Sequence, residues 1–367
     1  MKKFLIPLAA ALLLASCVQP EPALKDVFAG SFVLGAAINE AQISGEDIKG
    51  DSVLVRHFAA IEPENCLKSG EIMPVFGQYD WILADKYVEF GEKYGLDVYG
   101  HCLIWHSQCT PDFCYDQDGN LISPELLKER MKQHISTLMG RYKGHIKGWD
   151  VVNEAIMEDG SYRNSPFYQI LGEEFIPWAF QCAYEADPEC ELYYNDYAMH
   201  EPAKLDAVIK MANQIKERGI RIDAIGFQGH LGMDYPDLEL YEKHIRRVKD
   251  ETGLDVCITE LDMSILPTLT RSADLGEMSF TEAMKDLNPY PDGIPAEVRK
   301  AWNKRMEDFL VMFVRNSDVI SRINVWGICD SDSWKNGWPI PERQDEPLWV
   351  DRDYRLKPFL NSYLYGR

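Results

Sequence analysis

Two glutamates stand out because each follows an apolar, strand-like run at the point where the sequence becomes polar. Glu154 belongs to residues 149–155 (WDVVNEA), and Glu260 belongs to residues 256–263 (VCITELDM). Paired carboxyl groups at two strand ends are what hydrolysis of a glycosidic bond requires. In a chain with 59 acidic residues an isolated glutamate is usually a solvated surface charge, but the position directly after a β-type run favours a catalytic pair.

The chemistry of such a pair assigns a different role to each carboxyl group. Cleavage with retention needs one group to protonate the leaving oxygen and a second, about 5 to 5.5 Å away, to attack the anomeric carbon. We expect Glu260 to be the ionised nucleophile. We expect Glu154 to be the acid, with a pKa raised by the neighbouring negative charge and by partial burial, and then the base for the incoming water.

The rest of the chain alternates short apolar runs with amphipathic stretches, which predicts repeated β-α units. Strands are predicted near residues 32–38, 53–59, 98–104, 148–152, 191–194, 224–227, 255–259 and 322–328. Helices are predicted near residues 81–94, 126–142, 175–186, 202–218, 238–252 and 297–316. Gly95, Gly219 and Gly253 follow three of these helices, as residues that end a helix in the left-handed conformation.

Eight β-α units with short connections favour an α/β fold, a closed (β/α)₈ TIM barrel forming a single domain over residues 27–367. An open doubly wound sheet is less favoured, because no G-x-G-x-x-G phosphate loop is present. Reactive residues of such a barrel collect where the strands end. Polar motifs mark the ends of the third to eighth predicted strands, at residues 101–108, 153–154, 195–197, 228–230, 260–262 and 326–327.

These motifs resemble those of glycoside hydrolase family 10, the retaining endo-β-1,4-xylanases, from about residue 35 to residue 359. The WDVVNEA and ITELD segments carry the resemblance. It implies that Glu154 is the acid/base and Glu260 the nucleophile, and that no metal or organic cofactor is needed. It also implies that Asn153 bonds the sugar 2-hydroxyl, and that His230 contacts Glu260 while Asp262 fixes the imidazole tautomer.

The resemblance also predicts the walls of a sugar-binding cleft. Residues 64–68 (ENCLK) resemble the segment that grips the sugar on the non-reducing side of the cleaved bond. The predicted substrate-binding residues are Glu64, Asn65, Lys68, His101, Trp105, Gln108, Asn195, Tyr197, Gln228, Trp326 and Trp334. Trp326 and Trp334 would form an apolar platform and roof, although tryptophans are more often core residues. Two positions depart from the family pattern, because Ser69 and Phe113 stand where tryptophan is usual.

Two other functions remain open from the sequence. A related enzyme on the same barrel would cleave β-1,4-glucan, mixed-linkage glucan or aryl glycosides, and a tight wall at residues 64–68 would exclude glucose, which carries a hydroxymethyl group that xylose lacks. A surface glycan-binding lipoprotein that had lost turnover would have replaced its acid or nucleophile. Both glutamates are present.

The first residues predict export and lipid attachment. Residues 1–16 combine Lys2 and Lys3 with a short apolar run, which is typical of a signal peptide. The ending Leu-Ala-Ser-Cys resembles a bacterial lipoprotein signal, so Cys17 is predicted to be lipidated and residues 17–26 to form a tether at the cell envelope, on the outer membrane or in the periplasm. The alternative is an ordinary cleaved signal with an incidental cysteine.

Composition limits the partners of the chain. A net charge of −21 opposes binding to nucleic acid and to anionic lipid, so membrane contact is predicted only through the lipid anchor. A neutral partner such as xylan or a xylo-oligosaccharide is compatible, and we expect a monomer. The eight cysteines after Cys17 are predicted to be mainly free thiols, with a bridge between Cys109 and Cys114 or between Cys182 and Cys190 left open. The irregular residues 264–295 could cover the cleft.

Overall fold

The computed structural model describes residues 22–267, 287–338 and 340–366, and its parallel strands close into a barrel. The strands are β1 Val33–Ile38, β2 Ala60–Pro63, β3 Asp97–Ile104, β4 Gly148–Asn153, β5 Glu191–Asp196, β6 Ala224–Phe227, β7 His230–Gly232, β8 Asp255–Ser264 and β9 Ile320–Val325. Strands β1 to β6 pair in sequence, β6 pairs with β8, β8 with β9, and β9 with β1. The short β7 pairs only with the end of β8, so β8 and β9 are the seventh and eighth barrel strands.

Helices surround this barrel and follow the strands in the chain. They are α1 Leu24–Phe28, α2 Glu40–Ser44, α3 Ile48–His57, α4 Ser69–Ile72, α5 Ile82–Tyr94, α6 Pro124–Arg141, α7 Pro166–Leu171, α8 Phe175–Ala186, α9 Pro202–Glu217, α10 Leu238–Thr252, α11 Ala296–Arg315 and α12 Asn361–Tyr365. The predicted (β/α)₈ barrel is confirmed. Within the described ranges, no helix combines the length and apolarity needed to cross a membrane.

Local sequence signals set the helix ends. Ser123 accepts a hydrogen bond from the backbone N–H of Leu126, and Pro124 occupies the first turn of α6, where its missing N–H costs nothing. At the other ends, Gly95 after α5 and Gly253 after α10 adopt the left-handed conformation with φ of 64° and 75°. These glycines end the helices as predicted and lead directly into β3 and β8.

One predicted strand is wrong. Residues 53–59 are not a strand; they belong mainly to α3, and the second barrel strand is Ala60–Pro63. Gly50, Leu54 and His57 are buried at spacings of four and three residues, which is the pattern of a helix face. The side chain of Asp47 accepts from the N–H of Gly50 and starts this helix. Local capping and burial spacing therefore outweigh the β preference of the valines.

The predicted tether, residues 17–26, overlaps the first helix of the folded domain. Helix α1 begins at Leu24, whose side chain is fully buried, and Phe28 of the same helix stacks on Phe32 with ring centroids 5.3 Å apart. The folded unit therefore starts before residue 27. The predicted signal peptide and Cys17 lie outside the described residues.

The cysteines that the structure describes are free thiols, so neither Cys109 with Cys114 nor Cys182 with Cys190 forms a bridge. Burial raises the pKa of the Cys109 thiol to about 11, which makes it a weak nucleophile at neutral pH. Of the irregular stretch 264–295, residues 268–286 lie outside the described residues, so its predicted role over the cleft stays a prediction.

Candidate active site

The carboxyl ends of the barrel strands surround a cleft of about 310 Å³. It is lined by Glu64, Asn65, Lys68, His101, Trp105, His106, Ser107, Gln108, Asn153, Glu154, Gln228, His230, Glu260, Trp326 and Trp334. The structure thus brings together all the predicted site residues of the barrel except Asn195, Tyr197 and Asp262, which lie behind the lining. His106 and Ser107 were not predicted, although they fall inside the motif that follows β3.

Glu260, on β8, is held by donors from two other strands. Asn195 Nδ2 donates to Glu260 Oε1 at 2.7 Å, and His230 Nε2 lies 3.2 Å from Glu260 Oε2. On the other side of the imidazole, His230 Nδ1 lies 3.0 Å from Asp262 Oδ1. Asp262 in turn accepts from Trp334 Nε1 at 2.9 Å, so Trp334 and His230 are both held by the same carboxylate.

The charges around Glu260 keep it ionised. Burial alone would raise its pKa, but the hydrogen bond from His230, the electrostatic influence of His101 and His230 and the hydrogen bond from Asn195 bring the pKa of Glu260 below its usual value. Burial would lower the pKa of His230, but Asp262 and Glu260 raise it to about 9, so the imidazole is protonated at neutral pH. An ionised carboxylate held in place by hydrogen bonds is the state that a nucleophile needs.

Glu154 lies directly after β4, and its pKa is shifted in the opposite direction to that of Glu260. Its oxygens accept from Gln228 Nε2 and from Trp105 Nε1, both at 2.9 Å. Burial raises the pKa of Glu154 to about 7; the hydrogen bond from Gln228 opposes this rise, while the charges of Asp196 and Glu260 add to it. A carboxyl group that is partly protonated near neutral pH is suited to giving and taking a proton.

The backbone of Glu154 is in the left-handed region, with φ of 56°, which costs a non-glycine residue about 1 kcal/mol or more. Side chains that bond the backbone of Glu154 and Ala155 support this conformation; we name them the supporting shell. Arg163 Nε donates to the carbonyl oxygen of Glu154 at 3.0 Å, and the N–H of Ala155 donates to the hydroxyl of Tyr194 at 3.1 Å. The strained conformation directs the acid into the cleft.

Tyr197 packs against the supporting shell and does not line the cleft. Its side chain is 1% exposed, its hydroxyl bonds Arg163 Nη2, and its ring lies under the ammonium of Lys204, with 3.7 Å from Nζ to the centroid. Lys204 pairs with Asp196 at 2.7 Å. Tyr197 was predicted to bind substrate, but its position fits support of the acid segment.

Asn195 likewise lies beneath the cleft, where it links the two catalytic strands. Besides donating to Glu260, its Nδ2 donates to Asn153 Oδ1 at 3.0 Å. Its own Oδ1 accepts from Thr259 Oγ1 at 2.6 Å. The Asn153 oxygen therefore faces inward, and the amides of Asn153 and Asn195 fix the relative positions of the acid and nucleophile strands.

A second group of residues forms the wall on one side of the catalytic pair. Lys68 Nζ donates to Asn65 Oδ1 at 2.9 Å and to Gln108 Oε1 at 2.7 Å, and it lies 4.9 Å from the ring centroid of Trp105. We name this group, Glu64, Asn65, Lys68 and Gln108, the amide wall. It presents amide, ammonium and carboxylate groups side by side, which suits adjacent sugar hydroxyls.

The two departures from the family pattern lie behind this wall. Ser69 begins α4, and its Oγ accepts from the N–H of Thr110 at 3.2 Å. Phe113 is 1% exposed and packs edge-on against Phe76 and His134. Neither residue lines the cleft: Ser69 connects the loop after β3 to α4, and Phe113 packs that loop against Phe76 and α6.

Below the cleft floor, His101, Asp150 and Glu62 form a buried cluster whose ligand-type atoms lie within 4.8 Å of one another. His101 Nδ1 lies 2.8 Å from Asp150 Oδ2, which orients the ring, and the rings of His101 and Trp326 are nearly perpendicular with centroids 5.4 Å apart. Arg322 Nη1 lies 2.8 Å from Glu62 Oε2. The charge of this guanidinium opposes the rise that burial causes in the pKa of Glu62 and of Asp150, so we name Glu62, His101, Asp150 and Arg322 the ion-pair floor.

Comparison with known proteins agrees with this arrangement. The sequence profile of glycosyl hydrolase family 10 matches residues 23–364. The chain is 42% identical to endo-1,4-beta-xylanase A of Xylanibacter ruminicola, over 96% of this chain and 95% of that protein. It is 34% identical to an endo-1,4-beta-xylanase of Geobacillus stearothermophilus, over 92% and 96%.

Solved structures show the same similarity. A GH10 endoxylanase retrieved from a sugarcane soil metagenome superposes with a TM-score of 0.86 at 38% identity, covering 93% of this chain and 98% of that one. Xylanase B from Clostridium stercorarium F9 gives 0.83 at 32% identity, covering 94% and 99%. The match extends over the whole barrel and includes the strands that carry both glutamates. The chain therefore belongs to glycosyl hydrolase family 10.

Proposed function

We propose that the protein is an endo-1,4-β-xylanase that cleaves internal bonds of xylan with retention of configuration, and that residues 27–367 include its whole catalytic machinery. The observation that carries the proposal is the contrast between two buried carboxyl groups in one cleft. The pKa of Glu154 is raised to about 7, and that of Glu260 is lowered. Such a contrast is what acid catalysis paired with nucleophilic attack requires.

In the first step, Glu260 attacks the anomeric carbon, and the bond from that carbon to the glycosidic oxygen breaks. Glu154 gives its proton to this oxygen, so the leaving chain departs with a free hydroxyl. In the second step, the ionised Glu154 takes a proton from water, which attacks the anomeric carbon and releases Glu260 as a carboxylate. Loss of the negative charge on Glu260 in the intermediate removes one of the causes of the raised pKa of Glu154, which favours its change from acid to base.

The proposed substrate follows from the walls of the cleft and from the relatives. The amide wall places Lys68 and Gln108 within 2.7 Å of each other, which leaves a compact surface beside the catalytic pair. A xylose ring carries no hydroxymethyl group and fits a tight wall better than glucose does. Proteins 42% and 34% identical to this chain are named endo-1,4-beta-xylanases, and one 33% identical is named a thermostable celloxylanase.

We further propose that the mature protein is a monomer anchored by lipid at Cys17 at the bacterial cell envelope, on the outer membrane or in the periplasm. The charged start, the short apolar run and the cysteine that follows small residues support this location. Replacing Cys17 with alanine should move the protein from the membrane fraction to the soluble periplasmic or secreted fraction. An unchanged distribution would favour the ordinary cleaved signal.

Product profiling on glucuronoxylan, arabinoxylan and carboxymethylcellulose tests the proposed function. We expect reducing ends from both xylans, as oligosaccharides and not as xylose alone, and little product from the cellulose derivative. Glu260→Ala should abolish release while retaining binding to xylan. Binding of xylan without product in the unmutated protein would instead show the glycan-binding alternative, and equal activity on the cellulose derivative would show a broader β-1,4-glucanase.

A further inference from the structure

The ion-pair floor carries more potential negative charge than its one permanent cation can balance. Glu62, Asp150 and Arg322 are each at most 2% exposed. His101 does not add a second positive charge at neutral pH, because burial lowers the pKa of its imidazole. If both carboxyl groups were ionised, a net negative charge would lie inside the barrel away from water, which is unfavourable unless it is compensated.

One oxygen of each carboxyl group in the floor has a hydrogen-bond partner on another strand. Glu62 Oε2 accepts from Arg322 Nη1 at 2.8 Å and from Asn324 Nδ2, and Asp150 Oδ2 lies 2.8 Å from His101 Nδ1. Glu62 Oε1 and Asp150 Oδ1 are buried, and in the part of the chain that the structure describes no N–H or hydroxyl donates to either. The two carboxyl groups lie within hydrogen-bonding reach of each other. A carboxylic acid can donate to a carboxylate there, whereas two carboxylates have no proton to share.

Groups on the other barrel elements do not supply the missing positive charge. Those that face the floor are Tyr99, Tyr193, Cys257, Lys68, Glu154 and Glu260. Burial raises the pKa of both tyrosines and of the thiol, so these groups are uncharged at neutral pH. In the cleft above the floor, the charge of Lys68 opposes that of Glu260 in its effect on His101. Among the described residues, a bound proton is therefore what remains to neutralise the floor.

We propose that Glu62 and Asp150 share one proton, and that Glu62 is thereby a positioning residue for His101. With the proton between the two carboxyl groups, His101 Nδ1 donates to Asp150 and Nε2 carries no proton. The imidazole lines the cleft, so Nε2 accepts a hydrogen bond from a hydroxyl of the bound sugar, a step that rests on the xylanase function proposed above. Burial raises the pKa of Glu62 to about 8 and that of Asp150 to about 7, which keeps one proton on the pair in neutral solution.

The protonation state of His101 tests the shared proton without substrate. Long-range proton–nitrogen NMR spectra distinguish protonated from unprotonated ring nitrogens, and the signals that disappear in His101→Gln are those of this ring. We expect a neutral ring with its proton on Nδ1 from about pH 6 to 7.5, both in the unmutated protein and in Glu62→Gln, whose amide N–H replaces the shared proton. An imidazolium in this range, or a proton on Nε2, would overturn the proposal.

The contact between His101 and the sugar is tested in Glu260→Ala, which should bind xylotriose without turnover. Added xylotriose should shift the Nε2 resonance of His101 and move that of Nδ1 much less. An unmoved Nε2 resonance at saturating xylotriose would contradict the positioning role. Hydrolysis of xylan by the unmutated enzyme reports the proposed function separately, so failure of one is distinguishable from failure of the other.

A second measurement counts the shared proton through its effect on stability. In the unfolded chain Glu62 loses its proton near its ordinary pKa of 4.5, whereas in the folded protein burial raises this pKa to about 8. Between these values the folded state binds one proton more than the unfolded state, so stability falls as the pH rises. In urea denaturation at about pH 5 to 7, the ratio of folded to unfolded protein should fall about tenfold more per pH unit in the unmutated protein than in Glu62→Gln.

The matched control is Glu217→Gln, which removes an exposed carboxyl group at the end of α9 and should keep the pH slope of the unmutated protein. Equal slopes in the unmutated protein and in Glu62→Gln would overturn the shared proton. If Glu62→Gln does not fold, the protonation state of His101 in the unmutated protein decides the proposal.

Discussion

Asp196 and Lys204 form a fully buried ion pair, with 2.7 Å between Oδ1 and Nζ, beside the segment that follows the acid Glu154. The other carboxylate oxygen of Asp196 accepts from the hydroxyl of Tyr194 and from the N–H of Ile156 at 3.4 Å. The negative charge of Asp196 contributes to the raised pKa of Glu154, after burial. The pair therefore influences catalysis without lining the cleft.

Replacements of this pair should move the alkaline limb of the pH profile of kcat/KM in opposite directions. The limb reports loss of the proton from Glu154 and should lie near pH 7. Asp196→Asn removes a negative charge, lowers the pKa of Glu154 and moves the limb to lower pH, by roughly half to one unit. Lys204→Met leaves Asp196 uncompensated and should move it to higher pH. Shifts in the same direction would show that the variants act through misfolding.

Removal of the acid should affect substrates according to their leaving group. Glu154→Ala should lower kcat/KM on xylan by about 10²–10⁴, because the departing sugar hydroxyl needs a proton. A nitrophenyl xylobioside, whose leaving group departs without protonation, should still form the glycosyl-enzyme and show a burst followed by slow turnover. The burst is measured by stopped-flow absorbance. Equal losses on both substrates, with no burst, would contradict the acid role of Glu154.

His230 should determine the acidic limb of the pH profile of kcat/KM. Its positive charge helps to keep the pKa of Glu260 low, although burial opposes this. Glu260 is inactive when protonated, so a higher pKa makes activity disappear at higher pH as the solution is acidified. His230→Gln should therefore move the acidic limb of kcat/KM upward and leave the alkaline limb in place. The control His145→Gln changes an exposed histidine and should move neither limb. An unmoved acidic limb in His230→Gln would exclude this role.

The ion-pair floor should be a major determinant of stability. Arg322 lies with its guanidinium carbon 3.9 Å from the ring centroid of Tyr99 and pairs with Glu62 inside the barrel. Arg322→Met leaves a buried carboxyl group without its partner and should lower the free energy of unfolding by about 3–5 kcal/mol. Arg322→Met/Glu62→Gln should recover part of that loss. Urea denaturation measures both, and a double variant no more stable than the single one would contradict the pairing.

The sequence predicts those features of the site that are tied to a strand end. Glu154 and Glu260 follow apolar runs whose period identifies the strands, and the closed barrel then brings both residues to one mouth. The strand prediction for residues 53–59 is wrong because the valines favour a strand locally. Burial of Gly50 and Leu54 on one face makes the segment part of a helix. For this segment, the spacing of the buried residues indicates the helix better than the residue types do.

The supporting residues could not be predicted because their roles depend on long-range contacts. Lys204 belongs to the first turn of α9 and looks like an ordinary surface lysine in the sequence, yet its side chain is fully buried against Asp196 and Tyr197. Arg163 follows the acid by nine residues, with nothing in the intervening sequence to show that it turns back to the carbonyl of Glu154. Such contacts arise only when loops from different strands meet.

The stereochemistry of the first product tests the central claim most directly. Proton NMR of a xylo-oligosaccharide hydrolysed by the enzyme resolves the α and β anomers before they interconvert. If Glu260 forms a covalent glycosyl-enzyme and Glu154 then activates water, the β anomer must appear first, with the α anomer growing in later by mutarotation. Initial appearance of the α anomer would mean a single displacement by water, and would contradict the assignment of Glu260 as nucleophile.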